Sequence, residues 1–341
     1  MKPTVHDIAA VAGVSLATVD RVLNRRPGVS ARTRDKVEAA VSTLGFVRDV
    51  AAANLAKGRV YPLTFVLPAN DNSFMRDLEA EVREAIARAP VERTAISIVK
   101  VPPFDADALV RALDALIDEK PAGVALVAVD APDVVAAVDR LVEAGIPVVT
   151  LVSDLPTSRR SHFAGIDNLA AGRTAASLLG RFVGREPSSI AVVAGSLLVR
   201  DHRERLEGFR AVMAKDYPHL TVLDAIEGRD DPAVVERLLG AELDRRGDIS
   251  GIYSLGAGNR GLLAALRSAP RRDRIAVVAH ELTGTTREAL DVGLIDAVLN
   301  QDAGHEVRSA IRVLKAKADG APLLAGQERI RIDIFLKDNL P

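Results

Sequence analysis

Residues 4–24 read Thr-Val-His-Asp-Ile-Ala-Ala-Val-Ala-Gly-Val-Ser-Leu-Ala-Thr-Val-Asp-Arg-Val-Leu-Asn, and few arrangements satisfy such a stretch. Thr4 and Asp7 are spaced as a capping box that opens a helix. Ile8 and Val11 lie three apart and are expected on one face. Gly13 permits a sharp turn. Ser15 is placed to cap a second helix, with Val19, Val22 and Leu23 turned inward. Leu16, Ala17, Asp20 and Arg21 then face outward. A helix-turn-helix is predicted, and in such a motif the outer face of the second helix enters the major groove of DNA. A third helix is expected from Ser30 as N-cap to Leu44, with Val37, Val41 and Leu44 inward and Gly45 ending it.

Several short blocks recur in a fixed order here: Val14-Ser15, Thr18-Val19, Arg21-Val22, Leu23-Asn24, Val29-Ser30, Thr33-Arg34 and Val37-Glu38-Ala39-Ala40. Together they resemble the signature of the lactose-repressor (LacI/GalR) family. The resemblance implies a transcription regulator, most often a repressor, with DNA contacts from His6, Ser15, Leu16, Ala17, Thr18, Arg21, Asn24 and Thr33. It also implies a hinge helix. Asp49 can cap a short helix that Gly58 stops, and eight residues are marginal as a helix in isolation. In the family this helix enters the minor groove, where a leucine wedges a base step. Leu55 matches that leucine and Ala52 the small residue one turn earlier. The family's proline before the hinge is Arg48 here. A passive linker is the alternative.

Charge supports a head and a body of different character. Residues 1–59 hold ten Lys/Arg against five Asp/Glu, while the rest holds thirty-five against forty-one. A basic head on a mildly acidic body suits a nucleic-acid reader with a soluble sensor. The absence of cysteine excludes disulfides and thiolate metal sites. The chain has neither an apolar signal core nor a membrane-length apolar run, so a cytoplasmic protein is expected, with no membrane partner.

After Pro62, apolar segments alternate with amphipathic ones: Leu63–Leu67, Ala95–Val99, Val124–Val129, Pro147–Leu151, Ile190–Ala194, Val222–Ile226, Gly251–Ser254 and Ile275–Ala279. Near-continuous apolar strands separated by helices predict parallel sheets covered on both faces. Eight strands make one long sheet or two shorter ones. His162-Phe163-Ala164-Gly165-Ile166-Asp167-Asn168 looks like the family's crossing between two lobes, and Arg205-Leu206-Glu207-Gly208-Phe209 adds to the likeness. The body resembles ribose-type periplasmic binding proteins. The expected fold is thus α/β: an all-α helix-turn-helix head (1–46), a hinge (47–60) and a two-lobed body with parallel sheets (61–338). Lobe 1 is expected at about 61–163 and 302–321, and lobe 2 at about 164–301 and 322–338.

Ligands of open parallel sheets bind beyond the carboxyl ends of the strands. Polar residues there are Asn70, Asp71, Asn72 and Phe74 after the first strand, then Asp130, Asp154, Ser196, Arg205, Asn259, Glu281 and Gln301. Carboxylates, amides and aromatics suit a neutral polyhydroxyl ligand, a sugar or polyol. By resemblance, Arg205, Glu281 and Gln301 match the family's ligand-contacting positions.

A rival signal is Gly256-x-Gly258-x-x-Gly261, with Glu281 twenty residues beyond, the spacing of an NAD-binding enzyme. A sugar-binding transport receptor is a second rival. The histidines show no metal spacing and no catalytic motif stands out, so a non-enzyme without cofactor or metal is expected. His280 is expected to line the pocket or stack on the ligand. Reading a palindromic operator requires at least a homodimer.

Arg21 is expected to reach a base edge. Arg21→Ala should then cost about 1–3 kcal/mol on operator DNA and far less on random DNA. Titrating the variant against both DNAs checks this, and equal losses would reduce Arg21 to a phosphate contact.

Overall fold

The computed structural model describes residues 3–24, 26–46, 58–69, 72–270 and 272–341. The hinge positions Ala52 and Leu55, together with Asn70 and Asp71, lie outside the described residues. The chain divides into two units, 1–59 and 60–341.

The first unit contains α1 (Val5–Ala12), α2 (Leu16–Leu23) and α3 (Ala31–Leu44). Thr4 and Asp7 form the reciprocal capping box, with the Thr4 N–H donating to Asp7 Oδ2 at 2.7 Å. Ser15 and Ser30 cap α2 and α3 through their hydroxyls. Gly13 and Gly45 end α1 and α3 at φ values of 65° and 59°, where an L side chain is strained. Ile8, Ala12, Val19, Val37 and Ala40 form the core, with Val22, Leu23, Val41 and Leu44 packed on its edge. Val11 does not join Ile8, for it is 56% exposed. Three helical steps rotate Val11 about 60° to one side of Ile8, whereas four rotate Ala12 about 40° to the other side, toward the core.

The second unit is built from two sheets. The first contains β1 (Tyr61–Pro68), β2 (Thr94–Val101), β3 (Gly123–Val127), β4 (Val148–Leu151) and β5 (His162–Ala164) in the order β2-β1-β3-β4-β5, all parallel. Its helices are α4 (Ser73–Glu92), α5 (Ala106–Glu119) and α6 (Pro132–Glu143). The second contains β6 (Ser188–Ala194), β7 (Leu220–Glu227), β8 (Ile249–Ser254), β9 (Ala276–His280), β10 (Ala297–Asn300) and β11 (Asp333–Phe335), in the order β11-β10-β9-β8-β6-β7. Only β11 runs antiparallel among these described strands. Its helices are α7 (Asn168–Phe182), α8 (Arg200–Asp216), α9 (Pro232–Arg245), α10 (Asn259–Ser268) and α11 (Gly284–Asp291). The last long helix, α12 (Ala303–Asp319), returns to the first sheet and packs Val307, Ile311 and Leu314 into its core.

Both faces of each sheet are covered. In β1, Leu63, Phe65 and Leu67 enter one core while Val66 enters the opposite one. That alternation with apolar side chains on both sides is the physical content of the apolar runs. The runs resolve into two sheets. Strands β5 and β11 carry no such run because each is a three-residue edge strand, and β11 lies half in solvent. The chain passes between the sheets after β5, after β10 and after α12.

A close helix contact sets the position of one functional side chain. A Cβ on Gly172 of α7 would sit 2.0 Å from the Arg205 carbonyl oxygen on α8, and one on Gly208 of α8 would sit 2.2 Å from the Leu169 carbonyl. The two backbones touch through reciprocal glycines. Gly172→Ala or Gly208→Ala should therefore destabilise the second unit by about 1–3 kcal/mol, since the overpacked backbones must part. Thermal unfolding checks this, with Gly184→Ala as control, because nothing lies within 4 Å of its added Cβ.

Candidate functional site

The outer face of α2 has a clear division of labour. Leu16, Ala17 and Arg21 stand exposed, as does His6 on α1. The other sequence candidates are tied into helix ends. The Ser15 and Thr18 hydroxyls lie 2.9 Å apart in the α2 cap, and the Ser30 and Thr33 hydroxyls do the same for α3. Asn24 Nδ2 donates to the Asp20 carbonyl and carboxylate at 2.8 and 2.6 Å. Ser15, Thr18, Asn24 and Thr33 first hold the motif's shape.

In the second unit the cleft between the sheets holds a cavity with about 710 Å³ of non-atom space, part of it open to solvent. From the first lobe come Asn72, Phe74, Phe104, Val152 and Ser153, and from the second Asp201, His202, Arg205, Asp230 and Glu281. Asn72 caps α4 by accepting from the Phe74 and Met75 N–H groups, and its Nδ2 donates to Asp230 Oδ1 across the cleft at 3.2 Å.

Arg205 is the largest fully buried side chain, 1% exposed. Its Nε donates to Asn168 Oδ1 at 2.8 Å and its Nη1 to the Leu255 carbonyl at 2.6 Å. Its Nη2 stands 3.3 Å from Glu281 Oε1 without hydrogen-bond alignment. Gln301 Nε2 donates to the same Glu281 oxygen at 2.9 Å. Burial pushes the Glu281 carboxyl up, and the Arg205 guanidinium opposes that rise. Three polar atoms of cavity-lining residues are buried without a partner: Ser153 Oγ, Arg205 Nη2 and Glu281 Oε2. Buried polar atoms are rarely left so, and both lobes contribute.

Backbone strain collects at the same place. Among the described residues, seven non-glycine residues have φ between 50° and 70°, and Phe104, Val152, Asp230 and Glu281 all line this cavity. A β-branched valine in that region costs on the order of 1–3 kcal/mol and persists only where surroundings hold it.

Not all expected residues reach the cavity. Asp130 instead pairs across the cleft with Arg203 and, at 3.7 Å, with Arg200, both on α8. Asp154 accepts from the Thr150 hydroxyl and the Leu155 N–H at 2.8 and 2.7 Å and pairs with Arg160, so it buttresses its own loop. Ser196 Oγ accepts from the Leu198 N–H, and the Ser196 carbonyl meets His202 Nδ1 at 3.0 Å. Asn259 binds the Ser254 hydroxyl and the His280 carbonyl at the edge of a smaller adjoining cavity. Gln301 acts through Glu281. His280 lies beneath the floor, fully buried, 2.9 Å from the Tyr253 hydroxyl, and burial keeps its imidazole neutral.

Sequence reasoning missed Ser153, Asp201, His202, Asp230 and Phe104. Signals existed for some. Asp201 lies four residues before Arg205 on one helix face, and Asp230 lies beyond the carboxyl end of β7.

The glycine triplet has a packing role. A Cβ on Gly261 would meet the Pro232 carbonyl at 2.0 Å, and one on Gly256 would meet Arg205 Nη1 at 2.7 Å. Gly258 ends the turn at φ 79°. Glu281 is held by Arg205 and Gln301. The triplet thus lets α10 seat against α9 and makes room for the guanidinium, which leaves nothing that calls for a dinucleotide.

Residues 63–322 match the periplasmic binding protein domain, and residues 4–49 match the lacI family of bacterial regulatory proteins. The chain belongs to the periplasmic-binding-protein-like family, with a LacI-family helix-turn-helix domain at its head. The HTH-type transcriptional regulator DegA of Bacillus subtilis (strain 168) is 26% identical over 214 residues, 62% of this chain and 61% of DegA. The match thus spans less than two thirds of that relative. The HTH-type transcriptional regulator CelR of Thermobifida fusca is 28% identical over 289 residues, 82% of each chain. GanP, a glucose-galactose binding protein from Geobacillus stearothermophilus, superposes with a TM-score of 0.73 at 20% identity, covering 83% of this chain and 99% of its own. It shares the fold.

Behind the floor, in the first turn of α12, Glu306 is fully buried and neither carboxyl oxygen has a partner. Burial pushes its carboxyl well above the usual range; Glu281, Asp302 and Asp201 add to the rise and Arg205 opposes it. A helix N-terminus favours a carboxylate, but without hydrogen bonds desolvation wins. The folded chain therefore keeps a proton that the unfolded chain releases near pH 4.5. Folded-state proton excess means stability present at low pH and lost as pH rises from there toward the folded pKa. Glu306→Gln should remove this loss, so its melting temperature should gain on the parent's with rising pH. Melting curves from pH 4 to 8 check it, and parallel curves would mean that Glu306 is ionised in the fold.

Proposed function

We propose that the chain is a transcription regulator, a repressor, whose affinity for operator DNA is set by a small uncharged polyhydroxylated ligand, a sugar or polyol, bound between the lobes. The observation that carries this is the convergence of Ser153 Oγ, Arg205 Nη2 and Glu281 Oε2, unpartnered and buried, on one cavity walled by both lobes. DegA and CelR carry regulator names, which supports the same reading. The head supplies the DNA contacts, with Arg21, Leu16 and Ala17 presented outward, and Ala52 and Leu55 acting as the hinge. The protein works as a homodimer or higher homo-oligomer in the cytoplasm.

The switch is lobe closure. Asp130 with Arg200 and Arg203, and Asn72 with Asp230, join the lobes directly. A ligand shifts the equilibrium only by its differential affinity for closed and open lobes. In this reading sugar binding releases the protein from DNA. A coupling of about 1–3 kcal/mol weakens operator binding roughly 5- to 150-fold, and by linkage DNA weakens ligand binding by the same factor.

The test uses DNA selected from a random pool and a panel of sugars and polyols. A two-fold symmetric site should emerge, and ligand affinity should fall when that DNA is present. Ser153→Ala removes an unpartnered hydroxyl, so folding and DNA affinity should survive while ligand response weakens. A pool with no enriched sequence would defeat the regulator reading. Ligand affinity indifferent to DNA would defeat the switch.

A further inference from the structure

The two walls of the cavity differ in chemistry. The second lobe presents Asp201, His202, Arg205, Asp230 and Glu281. The first presents Phe74, Pro103, Phe104, Leu109, Val129 and Val152. Its polar lining side chains are Asn72, Asp105 and Ser153. Asn72 is engaged at both ends, and Asp105 Oδ1 accepts from the Ala108 N–H at 2.8 Å as the α5 cap. Ser153 Oγ is the one of the three without a partner. Three prolines of this wall, Pro68, Pro102 and Pro103, bring no backbone N–H.

A bare sugar has hydroxyls around its whole rim. Those turned toward this wall would be stranded, and each stranded hydroxyl costs on the order of five- to a hundredfold in affinity. An anionic sugar fares no better. The lining carries four carboxylates, Asp105, Asp201, Asp230 and Glu281, against one arginine, whose Nε and Nη1 are bonded to Asn168 and Leu255 and whose charge already faces Glu281 at 3.3 Å. The backbone is strained at Phe104 and Val152, at φ 59° and 63°, to keep these two apolar side chains on the wall.

Building on the proposal that a polyhydroxylated ligand sits here, we propose that the ligand is an uncharged glycoside with an apolar aglycone. Its hydroxylated ring faces the second lobe, where Asp201, Arg205 and Glu281 pair with hydroxyls. Its alkyl or aryl group lies on the Phe104–Val152 wall of the first lobe.

The experiment is calorimetry and thermal shift on the full chain with matched probes: glucose, galactose and mannose, each with its α- and β-phenyl glycosides and its 6-phosphate. At least one phenyl glycoside should bind about tenfold or more tightly than its parent sugar, as burial of the ring's apolar area predicts, and its 6-phosphate should not bind. Phe104→Ala should narrow the gap between glycoside and parent. A parent sugar or a 6-phosphate binding as tightly as its glycosides, or a gap untouched by Phe104→Ala, would overturn the ligand class and leave the sugar-sensor reading standing. A panel in which no probe binds would overturn both.

Discussion

The Arg205 guanidinium is the interaction on which the second lobe and its cavity depend. It ties the start of α7 through Asn168, the end of β8 through Leu255 and the end of β9 through Glu281. A buried cation is stable only when well paired and hydrogen-bonded, and losing a partner costs about 3–5 kcal/mol. The neighbouring sequence follows from that need. Gly172 and Gly208 let α7 and α8 approach, and Gly256 leaves room for Nη1. Gly256 thus makes room for the guanidinium itself, while Gly172 and Gly208 seat the backbone from which it projects.

Around this anchor the fold keeps polar atoms without partners and backbones in costly conformations. Ser153, Arg205 and Glu281 each hold an unpaired atom, while Phe104, Val152, Asp230 and Glu281 hold strain. Elsewhere in the lobes, both sheet faces bury ordinary apolar side chains. Stability given up in this way at one cavity is what a preformed binding site requires.

The cross-cleft contacts give that site a mechanical meaning. Asp130 on the first lobe meets Arg200 and Arg203 on the second, and Asn72 meets Asp230. These pairs join the two lobes at the rim of the cavity. A position beyond β3 allowed the Asp130 carboxylate that contact but did not specify it. Buried Glu306 lies behind the same floor and links lobe packing to a proton.

Sequence by itself determined what local rules govern. Caps such as Thr4–Asp7 and Ser15, the glycine turns, and the apolar runs of β1 to β4 and β6 to β9 are short-range or periodic, so they are legible in order along the chain. Arg205, Glu281 and Asn72 were also legible as polar residues beyond strand ends or as family positions. Tertiary structure alone decided the rest, because partnership depends on distances between segments far apart in sequence. Asp130 on Arg203 rather than in the cavity, Asp154 on Arg160, and the unpartnered Ser153 hydroxyl follow from how these segments pack. The chain's order of residues says which groups are polar. Only the packing says which of them find each other and which are left for a ligand.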